Sequence, residues 1–379
     1  VQAAGAKHII VGDERTSVIE ASREALALSD FGAYLWCSDS GTLTCPDWCV
    51  DLKAEMADQR VENIPITREI TAGEVAFYIY TSGTTGLPKA AIMLHRKALA
   101  ASTVLGRLGF RVKPSDRLYL CLPIYHITGL GPGLLAFILS GGSVFLRRQF
   151  SASKFWSEVQ QFKTNSFIYV GELCRYLNQQ PEHPQEKNNP LEKMLGNGLR
   201  PDVWDAFRER FNVGRISEIY GSSEGNATFI NLLNKNRTIG TSSADILLVK
   251  YDVDADEMVR DEQGRLVEAE KGQAGLLLSA IDKKYQFDGY KNKEASESKI
   301  MHSVRKKGDS WFNTGDLVRQ IDVGFAMGLP HYQFVDRIGD TFRWKSENVS
   351  TNELAEIINQ HQDVVFTNAY GVQIPGTDG

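Results

Sequence analysis

Through the first half of the chain, short apolar runs rich in β-branched and aromatic residues alternate with amphipathic stretches, and this alternation restricts the fold more than any other feature. Residues 6–11, 75–80, 117–122, 142–146 and 166–170 read as buried strands. Between them, residues 17–28, 89–108 and 151–162 carry apolar positions at helical spacing, the last opened by a Ser-Ala-Ser start signal. Strands that are apolar on both faces need helices on both sides, so the pattern implies an α/β architecture built on parallel sheet. The second half changes character. Glu257-Met-Val-Arg260 and Arg265-Leu-Val267 flank Asp261-Glu-Gln-Gly264, a hairpin signal, and residues 275–279 and 317–321 read as further strands. A mixed sheet or a small β-barrel-like subdomain is expected there. Past Asp336-Arg337 a short βα unit follows, with a strand at 341–344 and a helix at 350–360 for which Thr351 is the candidate cap. Residues 179–190, rich in Pro, Gln, Asn and charge, read as an exposed loop.

From Leu118 to Leu146 there is no Asp, Glu, Lys or Arg, a run longer than the ~20 residues that cross a bilayer. Pro123, His126, Pro132 and five glycines interrupt it. It therefore reads as strand, loop and a short Gly-capped helix around 134–139, buried beside an apolar ligand. With 42 basic against 47 acidic residues the net charge is −5, and Arg305-Lys306-Lys307 is the only tight basic run. No face for neutralising a phosphate backbone is expected, and hence no nucleic-acid partner. Five cysteines, an odd number spread thinly over 379 residues, argue for a reducing, cytoplasmic compartment rather than a disulfide framework. Cys45 and Cys49 are spaced to share a metal, but no second Cys or His pair with zinc-site spacing accompanies them.

The segment richest in chemistry is Tyr80-Thr-Ser-Gly-Thr-Thr-Gly-Leu-Pro-Lys89, set between a buried strand and a helical pattern. Gly83 and Gly86 permit close backbone approach. The hydroxyls of Thr81, Ser82, Thr84 and Thr85 and the backbone amides can donate to phosphate oxygens, and Lys89 adds a point charge. It is a phosphate loop, although its spacing and the missing Ser or Thr after the lysine depart from the Walker pattern. In Tyr220-Gly-Ser-Ser-Glu-Gly-Asn226 an aromatic beside Gly221 suits a purine, and Glu224 is an oxygen ligand suited to Mg²⁺ bridging phosphates. Taken alone, Glu224 reads equally well as a solvated surface acid. Asn313-Thr-Gly-Asp316 supplies a carboxylate after a tight turn and Arg337 a guanidinium beyond a strand, a pair that could simply be a salt bridge. His126, in Pro123-Ile-Tyr-His-Ile-Thr-Gly129, reads by itself as a core histidine, and Gly196-Asn197-Gly198 as a turn.

Together these motifs resemble the adenylate-forming superfamily of acyl-CoA synthetases, luciferases and peptide-synthetase adenylation domains. Gly196-Asn-Gly-Leu-Arg200, the Tyr220 to Asn226 motif and Asp336-Arg-Ile-Gly-Asp-Thr-Phe-Arg-Trp-Lys345 resemble its very-long-chain acyl-CoA synthetase and fatty-acid-transport-protein branch. Phe150-Ser-Ala-Ser-Lys-Phe-Trp156 and Gly171-Glu-Leu-Cys-Arg-Tyr-Leu177 do so as well. The resemblance implies an acid–thiol ligase that uses ATP, Mg²⁺ and coenzyme A to convert a long- or very-long-chain fatty acid to acyl-CoA through an acyl-adenylate, releasing AMP and pyrophosphate. It makes Tyr80, Thr81, Ser82, Gly83, Thr84, Thr85, Gly86 and Lys89 the phosphate site. Gly196, Asn197 and Gly198 become an adenine-pocket wall. Tyr220, Gly221, Ser222 and Ser223 become nucleotide contacts, Ser223 standing near the α-phosphate where relatives commonly carry Thr. Glu224 becomes the Mg²⁺ ligand, and Asp316 and Arg337 the partners of the ribose hydroxyls. His126 would stand beside the acyl carboxylate, with the uncharged residues after it lining a tunnel for the tail. The alternatives are a fatty-acid uptake protein with little catalysis, peripheral on a membrane, or an adenylating enzyme for another carboxylic acid.

The same resemblance implies a large N-terminal domain over residues 1–336, then a hinge and the start of a small C-terminal domain over 337–379. Gly339, with Asp340 next, takes the hinge position, where relatives often carry Asp or Lys. Lys345-Ser346-Glu347-Asn348 has Ser where relatives usually have Gly. Both ends read as cut, and the adenylation lysine of the small domain is expected beyond Gly379. This stretch by itself is expected to bind nucleotide but scarcely turn it over.

Overall fold

The computed structural model describes residues 5–26, 28, 33–38, 41, 43–62, 69–81, 89–253, 255–339, 342–344, 347–361, 363–370 and 372. Two compact units divide at Glu74/Val75. In the first, strands β1 (Ile9–Gly12), β2 (Tyr34–Cys37) and β3 (Val50–Asp51) pair in parallel in that order, with helices α1 (Thr16–Leu26) and α2 (Leu52–Ala57). Its small core holds Val11, Tyr34 and Trp36. The Asp51 carboxylate caps α2 by accepting the amides of Lys53 and Ala54, the usual cure for unpaired donors at a helix start.

The second unit opens with an antiparallel hairpin, β4 (Val75–Thr81) and β5 (Lys89–Leu94), and runs without a break into α3 (His95–Val104). The helix expected over 89–108 is therefore strand for its first six residues. Lys89-Ala-Ala-Ile-Met-Leu94 has weak strand propensity of its own, and the tertiary pairing with β4 overrides it.

A six-stranded sheet follows, built from β6 (Arg117–Leu120), β7 (Ser143–Leu146), β8 (Ser166–Val170), β9 (Lys193–Asn197), β10 (Arg215–Tyr220) and β11 (Phe229–Ile230). Its order is β11-β10-β9-β8-β6-β7, parallel except at β11. The chain between β6 and β7 ends in the short helix α4 (Ala136–Leu139). Crossovers α5 (Phe155–Phe162), α6 (Gly171–Asn178) and α7 (Pro201–Phe211) cover the sheet. Tyr119, Phe155, Phe167, Tyr169, Trp204, Phe207 and Phe211 are wholly buried in its core, each large apolar side chain contributing ~1.5–3 kcal/mol. α5 begins at Phe155 with no side-chain cap, so the Ser-Ala-Ser sequence forms the preceding turn rather than the cap.

The remaining strands are β12 (Ile246–Val249), β13 (Tyr251–Asp252), β14 (Glu257–Met258), β15 (Ala274–Ala280), β16 (Ile300–His302), β17 (Ser310–Ile321), β18 (His331–Arg337), β19 (Phe342–Trp344) and β20 (Glu347–Val349). The helices are α8 (Lys293–Glu297) and α9 (Thr351–Ile358). The expected barrel-like subdomain takes the form of an open antiparallel sheet, β12-β15-β17-β16 with β18 on β17. The Asp261 turn closes as expected, with the Gly264 amide donating to the Asp261 carbonyl. The cap of α9 is Ser350, whose hydroxyl accepts the Glu353 amide. Thr351 stands one place later, its amide and hydroxyl donating to the buried Asp336 carboxylate.

Among the described residues no helix is long and apolar enough to cross a membrane. Of the uncharged stretch, Leu118, Tyr119, Leu120, Ala136 and Phe137 are wholly buried in the core. Asp116 ties three parallel strands together at one end. Its carboxylate takes the buried Lys193 ammonium at 2.5 Å and the Asn165 amide at 2.8 Å. Burial raises the Asp116 pKa, but the bonds from Lys193, Lys113 and Asn165 outweigh it and hold the carboxyl below its ordinary value of 3.8. Asp116→Asn leaves Lys193 buried without its counter-charge, and we expect urea unfolding at neutral pH to show a loss of ~3–5 kcal/mol. Because the folded pKa is depressed, this advantage of the wild type exists above the ordinary carboxylate pKa and shrinks as the pH falls below it.

Candidate active site

β4 and β5 set Thr81 directly opposite Lys89, which places the two flanks of the phosphate-loop sequence side by side. Ser82, Gly83, Thr84, Thr85 and Gly86 lie outside the described residues, as do Asp340, Lys345 and Ser346. A third segment lines up against β5: Ile92 donates to the Gly289 carbonyl at 3.0 Å, and Lys291 to the Ala90 carbonyl at 2.9 Å. This antiparallel bridge brings in Tyr290, which is buried. The Lys89 ammonium sits 5.7 Å from the Tyr290 ring centre, a cation–π contact. The phenol faces Glu224 and Thr81. Its pKa is raised by burial first, then by the charge and hydrogen bond of Glu224, against a lowering contribution from Thr81. Thr81 and Lys89 from one hairpin and Glu224 from a distant loop thus meet at Tyr290.

Behind Glu224 stands Lys97, in the first turn of α3, donating to the Ser223 carbonyl at 3.0 Å. Burial lowers its pKa, opposed by the carboxylates of Asp288 and Glu224. Asp288 also pairs with Arg96. The loop itself is tight: the Gly225 amide donates to the Ser222 hydroxyl, and Asn226 donates to the carbonyls of Ala280 and Tyr285. Gly221 and Ser222 are exposed, while Ser223 is buried.

Asp316 and Arg337 come together by register, as opposed residues on β17 and β18, with Arg337 Nε 3.7 Å from Asp316 Oδ1. The Tyr220 hydroxyl donates to Asp316 Oδ2 at 2.5 Å, so this aromatic is a partner of the carboxylate. Burial raises the Asp316 pKa against the bond from Tyr220 and the charges of Arg337 and Lys299. Arg337 is 63% exposed, leaving its guanidinium open to a further anion or hydroxyl acceptor. Gly339 is exposed, with nothing near the place a Cβ would take.

Gly196 and Asn197 end β9, and Gly198 turns the chain at φ +77°. The turn is packed against Gly171, where an added Cβ would lie 1.7 Å from the Gly198 carbonyl oxygen. It is also pinned by Glu218, wholly buried on β10, which accepts the Leu199 amide at 3.0 Å and the Tyr169 hydroxyl. The Thr128 hydroxyl reaches Asn197 Oδ1 at 3.3 Å, joining this turn to the His126 loop. His126 is exposed, its ring 4.9 Å from that of Tyr125. Tyr125, Ile124, Leu130, Tyr80, Tyr78 and Phe77 line a cavity of about 350 Å³. Within the uncharged stretch after His126, Leu130 lines this cavity.

Mg²⁺ is held by one or two carboxylates together with substrate phosphates and water. The site fits that demand, because Glu224 is half-buried and faces the Tyr290 phenol, which Thr81 and Lys89, the flanks of the phosphate loop, also approach. Among the described residues no group of three or more His, Cys, Asp or Glu could hold a metal by itself, so an ion here would take its remaining ligands from the nucleotide.

Residues 1–278 match the family described as AMP-binding enzyme. The chain belongs to that family. It is 45% identical over 310 residues to the medium/long-chain-fatty-acid–CoA ligase FadD6 of Mycobacterium tuberculosis, covering 82% of this chain and 51% of that protein. It is 40% identical over 326 residues to the human (Homo sapiens) long-chain fatty acid transport protein 5, covering 83% of this chain and 46% of that one. The chain thus spans about half the length of the curated relatives it matches. The ATP-bound structure of MatB from Rhodopseudomonas palustris superposes with a TM-score of 0.73 at 21% identity, covering 97% of this chain and 66% of that one, which shows a shared fold.

Tyr290, Lys97, Asp288, Glu218 and Tyr169 escape sequence reasoning. For Lys97 a signal existed: His95-Arg96-Lys97 opens a helix with no acidic residue in its first turn, against the helix dipole. Glu218 offers a direct test of how the Gly196 to Gly198 turn is held. Burial raises its pKa to about 8, opposed by the bonds from Tyr169, Leu199 and Gly198. Its folded pKa exceeds the ordinary value of 4.5, so its contribution to stability is full below that value and is lost as the pH rises toward 8. In Glu218→Gln this slope should flatten, which chemical denaturation at a series of pH values between 5 and 9 would reveal.

Proposed function

We propose that the protein activates a long-chain fatty acid with ATP, forming an acyl-adenylate and pyrophosphate and then acyl-CoA. The observation that carries this reading is the meeting of Lys89, Thr81 and Glu224 at Tyr290, with Tyr80 shared between the phosphate loop and an aromatic and aliphatic cavity. The names of relatives, a medium/long-chain-fatty-acid–CoA ligase and a long-chain fatty acid transport protein, support the substrate class.

In this reading the fatty tail lies in the Phe77–Tyr125–Leu130 cavity, where each buried CH₂ contributes ~0.8 kcal/mol. His126 and Tyr80 stand at the carboxylate end. Lys89 and the loop hydroxyls offset charge that builds on the phosphates as the carboxylate oxygen attacks the α-phosphorus and pyrophosphate leaves. Glu224 would hold Mg²⁺, which supplies Lewis-acid stabilisation of the phosphate oxygens. Gly196, Asn197 and Gly198 wall the adenine, and Asp316 and Arg337 take the ribose hydroxyls, with Tyr220 fixing the Asp316 carboxylate. Coenzyme A then gives its thiol to the acyl carbon and AMP departs. The domain boundary belongs at Arg337, with Gly339 and Asp340 as the hinge, since Gly339 has open space around it.

A capture role at a membrane is the second reading, favoured by the transport-protein name of a relative. Pyrophosphate exchange over a panel of acids separates the two. We expect exchange to rise from short to long acyl chains, because the described residues that line the cavity are aromatic and aliphatic and none is charged. Glu224→Ala should lower it by ~10²-fold or more while the protein stays folded. A best rate with acetate, an aromatic acid or an amino acid overturns the substrate class. Fatty-acid uptake that survives Glu224→Ala unchanged supports capture instead.

A further inference from the structure

We propose that Lys97 is a positioning residue that anchors the Glu224 loop to the helix leaving the phosphate loop, and so fixes where Glu224 meets a magnesium–nucleotide complex. The inference rests on the reading of Glu224 given above.

α3 starts at the residue after β5, so the first turn of the helix continues directly from the strand that Lys89 opens. Lys97 lies in that turn, half-buried, and its ammonium donates to the Ser223 carbonyl, one peptide before Glu224. A buried ammonium persists only if anions and acceptors surround it. Here they are the Ser223 carbonyl and the carboxylates of Glu224 and Asp288. Asp288 in turn is held by Arg96, the neighbour of Lys97, and its other oxygen is buried without a hydrogen-bond partner among the described residues. The placement is locally unfavourable, because His95, Arg96 and Lys97 bring positive character to the positive end of a helix that has no acid in its first turn. The compensation is tertiary, through Asp288 and the Glu224 loop. Lys97 therefore links three separate segments: the one after the phosphate loop, the metal-facing loop and the segment that carries Tyr290.

Anchoring and mere charge screening predict opposite signs. Removing a cation beside Glu224 would by itself make the carboxylate more attractive to Mg²⁺, whereas releasing the loop makes it less able to hold the ion. The experiment is calorimetric titration of the protein with Mg·ATP and, separately, with ATP in EDTA. We expect Lys97→Met to weaken Mg·ATP binding roughly tenfold, the worth of a charge-assisted hydrogen bond, and to leave metal-free ATP binding within about twofold. Lys97→Arg should restore most of the loss. If Lys97→Met does not fold, Lys97→Gln, polar but uncharged, is read by the same two titrations with the same expectation. Mg·ATP binding that is unchanged or tighter in the folded variant overturns the anchoring role. Equal weakening with and without Mg²⁺ overturns it too, because a general structural defect would give that result. A wild-type protein that binds ATP with no gain from Mg²⁺ overturns the assignment of Glu224 and this inference with it, while pyrophosphate exchange would still report on the wider reading.

Discussion

A buried phenol surrounded by a lysine, a carboxylate and a threonine is the junction on which the candidate site depends. Tyr290 reaches that place because its backbone neighbours pair with β5, Ile92 to Gly289 and Lys291 to Ala90. Its amide is also held by the Ser296 hydroxyl of α8 at 2.8 Å. The ring then attracts the Lys89 ammonium from one side, while the hydroxyl engages Glu224 and Thr81. Polar groups that share one low-dielectric environment are either mutually satisfied or costly. The geometry of each therefore constrains the rest. A displaced Tyr290 would leave Lys89 and Glu224 without a common reference.

The parallel sheet serves this junction at a distance. Its strands deliver the Gly196 to Gly198 turn, the Tyr220 to Asn226 loop and the His126 loop to one end of the sheet, beyond the carboxyl ends of β9, β10 and β6, where open α/β sheets bind their ligands. Glu218 and Tyr169 stitch β10 to β8 beneath that edge, and Thr128 reaches Asn197 across it. The antiparallel sheet adds Asp316 and Arg337, and the Tyr220 to Asp316 bond spans the two sheets. One residue before Arg337, Asp336 accepts bonds from Ser350, Thr351 and Asn352. In this arrangement the proposed hinge lies between two fixed points, and rotation about Gly339 would have to release α9 from Asp336.

The alternation of apolar runs with amphipathic stretches made the parallel sheet legible, since that pattern is local and repeats. Lys89 is legible from the chemistry of its own hydroxyl-rich loop, whereas Glu224, Asp316 and Arg337 are singled out through the family resemblance of their motifs. Residues 89–94 read as helix and fold as strand: Ala90 and Ala91 carry little strand propensity, and their partners lie on β4 and at Tyr290, out of sight of any local window. Tyr290 and Lys97 share that cause. Each matters through what distant segments bring to it, and only an adverse charge at the start of α3 hinted at one of them. The uncharged stretch misled differently, because absence of charge marks burial without saying whether the burial is in core or in a cavity. Leu118 to Leu122 and Phe137 lie in the core, Ile124, Tyr125 and Leu130 line the cavity, and Ile138, Leu139 and Leu146 are exposed.

In the proposed function three segments, residues 89–97, 220–226 and 288–291, form one nucleotide site around Tyr290. Amide hydrogen exchange with and without Mg·ATP reads all of them at once, since binding suppresses local opening wherever the ligand orders the backbone. Slower exchange is expected in all three segments together. Protection confined to one of them, or lying elsewhere on a protein that demonstrably binds the nucleotide, would rule out a single site around Tyr290.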